Sequence, residues 1–129
     1  MEKYKTICII DDDAIYAMLT RKKLLNSNFC ESVSHFANGE LAFQALKKMI
    51  ENQEELPDII LLDINMPIWD GWDFLDEFSK LSLEKKIILL VASSSNHPHD
   101  IEKAKSYPIV CGFVEKPITI EKILAELND

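Results

Sequence analysis

Ile7-Cys8-Ile9-Ile10-Asp11-Asp12-Asp13 is an unbroken apolar run that stops abruptly in three carboxylates. A short apolar run without alternation reads as a strand buried on both faces, and such strands belong to parallel sheets covered by helices. Three further runs share this form. Ile59-Ile60-Leu61-Leu62 ends in Asp63, Ile87 to Ala92 ends in Ser93, and Val110 to Val114 leads to Lys116-Pro117. In such sheets ligands bind outside the carboxyl ends of the strands. The polar ends of these four runs are therefore expected at one edge, where carboxylates, a hydroxyl and an ammonium would meet.

Working outward, strands and helices alternate along the chain. Ala14 to Leu25 reads as a helix capped by Asp13, with Ile15, Met18 and Leu19 expected to face the sheet. A shorter, more polar strand around Ser32 to Phe36 suits a sheet edge. Asn38-Gly39 breaks the chain before a helix from about Glu40, with Leu41, Ala42, Ala45, Leu46 and Met49 at helical spacing. Pro57-Asp58 opens the third strand, and Asp70-Gly71 turns into a helix carrying Phe74, Leu75, Phe78 and Leu81. The fourth strand starts near Lys86. The helix after it, about Pro98 to Ser106, is the least amphipathic, with Ile101 and Ala104 its main apolar contacts. The last helix presents Ile120, Ile123, Leu124 and Leu127, with Thr119 as its cap. The expectation is five strands and five helices in one α/β domain, residues 1–129, with the sheet parallel and helices on both faces.

The bulk properties narrow the function. A chain of 129 residues, 47% hydrophobic, is long enough for a single core. The net charge of −8 argues against direct nucleic-acid binding, which needs clustered Lys and Arg. No apolar stretch approaches the ~20 residues of a membrane span, and Met1 to Lys5 does not read as a signal peptide. Cys8, Cys30 and Cys111 have no paired metal-ligand spacing and read as reduced thiols, which points to the cytoplasm.

The chemistry lies in the combination. Asp11, Asp12 and Asp63 form an oxygen-rich set of the kind Mg²⁺ prefers, with Mn²⁺ as an alternative. A carboxylate beside such an ion can attack phosphorus and carry the group as an aspartyl phosphate. An ammonium such as Lys116 offsets charge on the transferring group, and Ser93 can donate a hydrogen bond to it. Singly, the three adjacent acids could be no more than a helix cap, and Asp63 a turn residue.

At these residues the chain resembles the receiver domain of bacterial response regulators, of the single-domain, chemotaxis-regulator-like kind, over essentially its whole length. The resemblance places the family's acidic pair on Asp11 and Asp12 and its phosphoacceptor on Asp63. The turn after the phosphoacceptor is present as Met66-Pro67-Ile68-Trp69-Asp70-Gly71. The switch hydroxyl falls on Ser93, the switch aromatic on Phe113, and the Lys-Pro pair on Lys116-Pro117, whose peptide bond the resemblance implies is cis. Asn65 would offer a backbone carbonyl to the metal.

The same resemblance implies a flavodoxin-like doubly wound sheet in the order 2-1-3-4-5. It also implies a histidine kinase or histidine phosphotransfer protein as donor, and an output protein on the face of the fourth helix, fifth strand and fifth helix. The protein would be a phosphoacceptor that assists its own phosphotransfer and dephosphorylation rather than an enzyme. A chain of this length leaves no room for an output domain, so output would pass through another protein; a fragment of a longer regulator is the alternative. Ser93 stands where Thr is common, and Phe113 where Tyr is common. The Tyr107-Pro108-Ile109 stretch is about one residue longer than the commonest pattern, which puts the switch on Ser93 rather than Ser94.

Two rival readings have a basis in the residues. A haloacid-dehalogenase-type phosphatase wants Asp-x-Asp-x-Thr/Val, which Asp11 to Ile15 meets in part. A degenerate receiver would act only as an interaction module. Other residues read more simply. His97-Pro98-His99 fits an exposed helix start, His35 surface or second-layer packing, and Arg21-Lys22-Lys23 a solvated helix face. Trp69 and Trp72 divide evenly between loop anchoring and a partner surface.

Overall fold

The computed structural model describes residues 4–94 and 97–127. In chain order it places β1 (Tyr4–Ile10), α1 (Ala14–Asn26), β2 (Cys30–Phe36), α2 (Gly39–Glu51) and β3 (Ile59–Asp63). Then follow α3 (Gly71–Phe78), β4 (Ile88–Ser93), α4 (Pro98–Lys105), β5 (Val110–Glu115) and α5 (Ile120–Leu127). Every strand pairing is parallel, and the order is β2-β1-β3-β4-β5. This is the expected flavodoxin-like doubly wound sheet.

The continuous apolar runs behave as strands covered on both sides. All of β3 is buried. Cys8, Ile10, Ile60, Leu62, Leu89 and Val91 face α2, α3 and α4, where Leu46, Phe74, Phe78 and Ala104 complete that layer. The alternate residues Ile7, Ile9, Ile59, Leu61, Leu90 and Ala92 face α1 and α5, against Ala17, Leu24 and Ile123. Burying each large side chain contributes roughly 1.5–3 kcal/mol, so two filled layers fix which sheet face each helix must cover. The edge strand β2 starts at Cys30, earlier than its polar sequence suggests, because Cys30 and Val33 are both buried.

Side-chain caps set the helix starts. Asp13 accepts from the Tyr16 N–H and Asn38 from the Leu41 N–H. Asp70 and Asp73 make a reciprocal capping box on α3, and Thr119 Oγ1 accepts from the Lys122 N–H at 3.1 Å.

One expectation fails. Ile15, Met18 and Leu19 do not face the sheet: they are 68%, 48% and 55% exposed. The buried stripe of α1 is Ala17, Thr20 and Leu24. The helix has apolar residues on both sides, and its phase is set by polar anchors. Asp13 caps the first turn, and the Tyr16 hydroxyl accepts from the Ile118 N–H at 3.1 Å. Leu41 is likewise exposed, and α2 buries Ala42, Phe43 and Leu46 instead.

Candidate functional site

The parallel register brings the strand ends to one level. Ile10 pairs with Leu62, Asp63 with Ala92, and Ser93 with Glu115. Asp11 and Asp12 follow β1 directly, and Lys116 follows β5. Side-chain oxygens of Asp11, Asp12 and Asp63 all lie within 4.8 Å of one another. Lys116 Nζ donates to Asp11 Oδ2 at 2.5 Å and stands 3.5 Å from Asp63 Oδ1. The Lys116 N–H donates to the Ser93 carbonyl at 2.8 Å, which ties the lysine to the end of β4. The Lys116-Pro117 peptide bond is cis. Asp11, Asp63 and Ser93 are buried, whereas Asp12 is exposed.

The run of three acids divides its work. Asp11 Oδ1 accepts from the Asp13 N–H at 2.9 Å, so it is aimed by its own neighbour. Asp13 spends its carboxylate on the cap of α1. Cap and acidic cluster are therefore both present, on different residues of the run. Close behind Asp63, the chain has no space for a side chain at Gly71. A Cβ there would lie 2.7 Å from the Asp63 carbonyl oxygen and 2.8 Å from Ile64 Cα. The Gly71 N–H closes that turn on the Ile64 carbonyl at 2.8 Å.

Burial pushes the Asp63 carboxyl up to about 6; Lys116 opposes the shift and Asp11 adds to it, while the Asn65 N–H favours the charged form. Burial alone would lower Lys116, but its hydrogen bond to Asp11 and the charges of Asp63 and Asp11 hold it above its ordinary value. Three carboxylates against one ammonium leave negative charge over, and every cluster donor is a carboxylate oxygen. That donor set fits a hard divalent cation such as Mg²⁺.

Two neighbours have no signal in the sequence. The Tyr16 ring lies under Lys116 Nζ, 4.5 Å from its centroid. His35 Nε2 is 2.7 Å from the Asp11 carbonyl oxygen, so this edge-strand histidine reaches the loop that carries the acids. Trp69 packs on Phe43 and Trp72 on Tyr107, which makes both tryptophans anchors. His97 is the N-cap of α4 with Pro98 at its start, as a helix start requires. Arg21 and Lys23 are exposed, although each also reaches a backbone carbonyl. Phe113 is half-buried on β5, and the Asn65 side chain is exposed.

Residues 7–128 match the family model of the response regulator receiver domain. The chain belongs to this family. Receiver domains are signalling switches of two-component systems that take phosphoryl groups from kinases and act on output partners, and Mg²⁺ binding at an acidic pocket is typical of them. The chemotaxis protein CheY of Bacillus subtilis is 28% identical over 123 residues, covering 95% of this chain and 93% of that protein. The nitrate/nitrite response regulator NarL of Escherichia coli is 35% identical over 124 residues, covering 95% of this chain and 53% of NarL. The chain spans about half the length of several curated relatives it matches, NarL among them. A two-component response regulator from Cytophaga hutchinsonii superposes with a TM-score of 0.88 at 29% identity, covering 98% of this receiver and 96% of that chain. Among the described residues, no helix of the receiver is long and apolar enough to cross a membrane.

Proposed function

We propose that residues 1–129 form one receiver domain that takes a phosphoryl group on Asp63 from a histidine kinase or histidine phosphotransfer protein and signals through altered protein contacts. The observation that carries this is the Lys116 ammonium shared between Asp11 and Asp63, with Asp12 open to solvent beside them. A carboxylate oxygen of Asp63 attacks phosphorus while the P–N bond of the phosphohistidine breaks. The imidazole leaves with that electron pair and takes up a proton. Lys116 and Ser93 stabilise charge on the phosphoryl oxygens. Asp11, Asp12, Asp63 and the Asn65 carbonyl would hold the ion. Bound there, Mg²⁺ would offset charge on both the acids and the transferring group. Asp13, committed to its cap, supports a phosphoacceptor over a phosphatase with a second acid in its site.

Millimolar Mg²⁺ should raise the melting temperature by a few degrees through mass action, on the order of 1–2 kcal/mol, and change tryptophan fluorescence through Trp69. Asp12→Ala removes an exposed ligand without touching the core, so it should shift the titration to higher Mg²⁺. An identical titration in that variant would defeat the metal assignment.

The exposed face of α1 suits the phosphodonor. Ile15 lies two residues after the acidic run, and Met18 and Leu19 continue the exposed apolar face. Ile68, in the loop after Asp63, is 74% exposed and has φ 69°. A β-branched residue in that region costs about 1–3 kcal/mol, so its exposure beside the site supports a contact that offsets the strain. Ile15→Asp should slow transfer from a phosphohistidine donor roughly tenfold or more and leave labelling by acetyl phosphate unchanged. Equal loss with both donors would place the defect in the site instead.

The readout surface we infer is α4, β5 and α5. Phe113 pairs with Val91, two residues before Ser93, and borders a cavity of about 340 Å³ that Ile101, Ala104 and Glu126 also line. A Ser93 hydroxyl drawn to the phosphoryl group would let the ring shift inward, and that differential contact would bias α4.

A further inference from the structure

Three contacts gather where α3 meets the joint between α4 and β5. The Trp72 and Tyr107 rings stack at 6.1 Å between centroids and 13° between planes. Lys103 Nζ lies 4.7 Å from the centroid of the same Trp72 ring. The Tyr107 hydroxyl donates to Asp76 Oδ1 at 2.6 Å. Trp72 and Asp76 belong to α3, Lys103 to the last turn of α4, and Tyr107 follows its C-cap.

The anchorage on each side differs. Ala104 is the buried residue of α4, so the helix has a thin hold on the core. Tyr107 bonds back to α4 through its N–H to the Ala104 carbonyl, and its own carbonyl accepts from the Val110 N–H at the start of β5. It is therefore the link between helix and strand. On the other side α3 is fixed, because Gly71 packs without spare room against the backbone of Asp63 and Ile64. Beyond α4, toward β5 and α5, lies the cavity beside Phe113. The helix is thus held at its C-terminal end on the α3 side and has space on the other.

We propose that Trp72, Asp76, Lys103 and Tyr107 form a clasp that pins the C-terminal end of α4 to α3; on the readout proposed above, on which this part rests, α4 then moves by pivoting about that end. Aromatic stacking and the cation–π contact give the clasp a preferred geometry, and the hydroxyl bond to Asp76 fixes the ring in register. Burial and then the Asp76 carboxylate push the Tyr107 hydroxyl up to about 12, so it remains a donor through the physiological range. The clasp is independent of which partner reads α4.

Amide hydrogen exchange on the unphosphorylated protein tests this. Tyr107→Phe keeps the stack and loses the hydroxyl bond; Trp72→Leu removes the stack and the cation–π contact. Exchange at Glu102 to Lys105 and at Val110 should rise about threefold in Tyr107→Phe and about tenfold in Trp72→Leu, with α1 and α5 unchanged. Each variant's melting temperature separates a local from a global effect. Exchange that rises evenly through the molecule would mean the contacts only add stability, and unchanged exchange at the end of α4 in Trp72→Leu would mean no clasp exists. Either result overturns the proposal.

Discussion

Asp63→Asn should abolish stable labelling by acetyl phosphate or phosphoramidate, leaving the intact mass unchanged where the parent protein gains one phosphoryl group in the presence of Mg²⁺. The amide matches the carboxylate in shape, so the site remains filled, but its oxygen is a poor nucleophile and it carries no charge. The fold should survive and even gain. Burial raises Asp63 to about 6 in the folded chain, above its ordinary value of 3.8. A carboxyl raised in this way is destabilising when ionised; the penalty is fully present above the folded value and disappears below the unfolded one. At neutral pH without metal the variant should therefore melt higher than the parent, and the difference should vanish near pH 4. Labelling of Asp63→Asn equal to the parent would move the phosphoacceptor elsewhere.

How much of this was legible in the sequence differs by element. The continuous runs Ile7 to Ile10 and Ile59 to Leu62 demand burial on both faces, which dictates a parallel sheet and brings Asp11, Asp63, Ser93 and Lys116 to one edge. The strand order entered through family resemblance, because burial alone does not say which strands are neighbours. The phase of α1 was not legible. Ile15, Met18 and Leu19 carry more apolar surface than Ala17 and Thr20, so a periodicity argument favours the wrong face. What decides the phase is the Asp13 cap together with Tyr16, whose hydroxyl is anchored across the layer at Ile118. The cap is local and was legible, but the Tyr16 contact joins residues 102 apart in the chain and depends on tertiary geometry. The same holds for His35 and the Tyr16 ring, which reach the acidic site from residues with no distinguishing spacing.

Lys116→Met should lower the rate of Asp63 labelling by a small phosphodonor on the order of 10²-fold, while prolonged treatment still adds one phosphoryl group at the same residue. Methionine keeps much of the length and packing of the lysine stem, so the substitution isolates the charge. In the parent, the ammonium bonds Asp11 at 2.5 Å and stands 3.5 Å from Asp63, within reach of charge that develops on the transferring group. Losing one preorganised cationic donor of this kind typically costs 10²- to 10³-fold in rate, about 3–4 kcal/mol. The variant also leaves Asp11 and Asp63, both buried, with no ammonium between them, and breaking a buried pair costs roughly 3–5 kcal/mol. The metal-free protein should therefore melt well below the parent. Mg²⁺ should recover more stability in the variant than in the parent, because a divalent ion then supplies charge compensation that the lysine otherwise provides. Lys116→Arg separates charge from shape: it restores the positive charge but presents a broad planar fork where the site holds a compact ammonium over the Tyr16 ring. Stability should return in that variant more fully than rate. Parent-like labelling kinetics in Lys116→Met would remove the lysine from the chemistry and reduce it to a structural partner of Asp11.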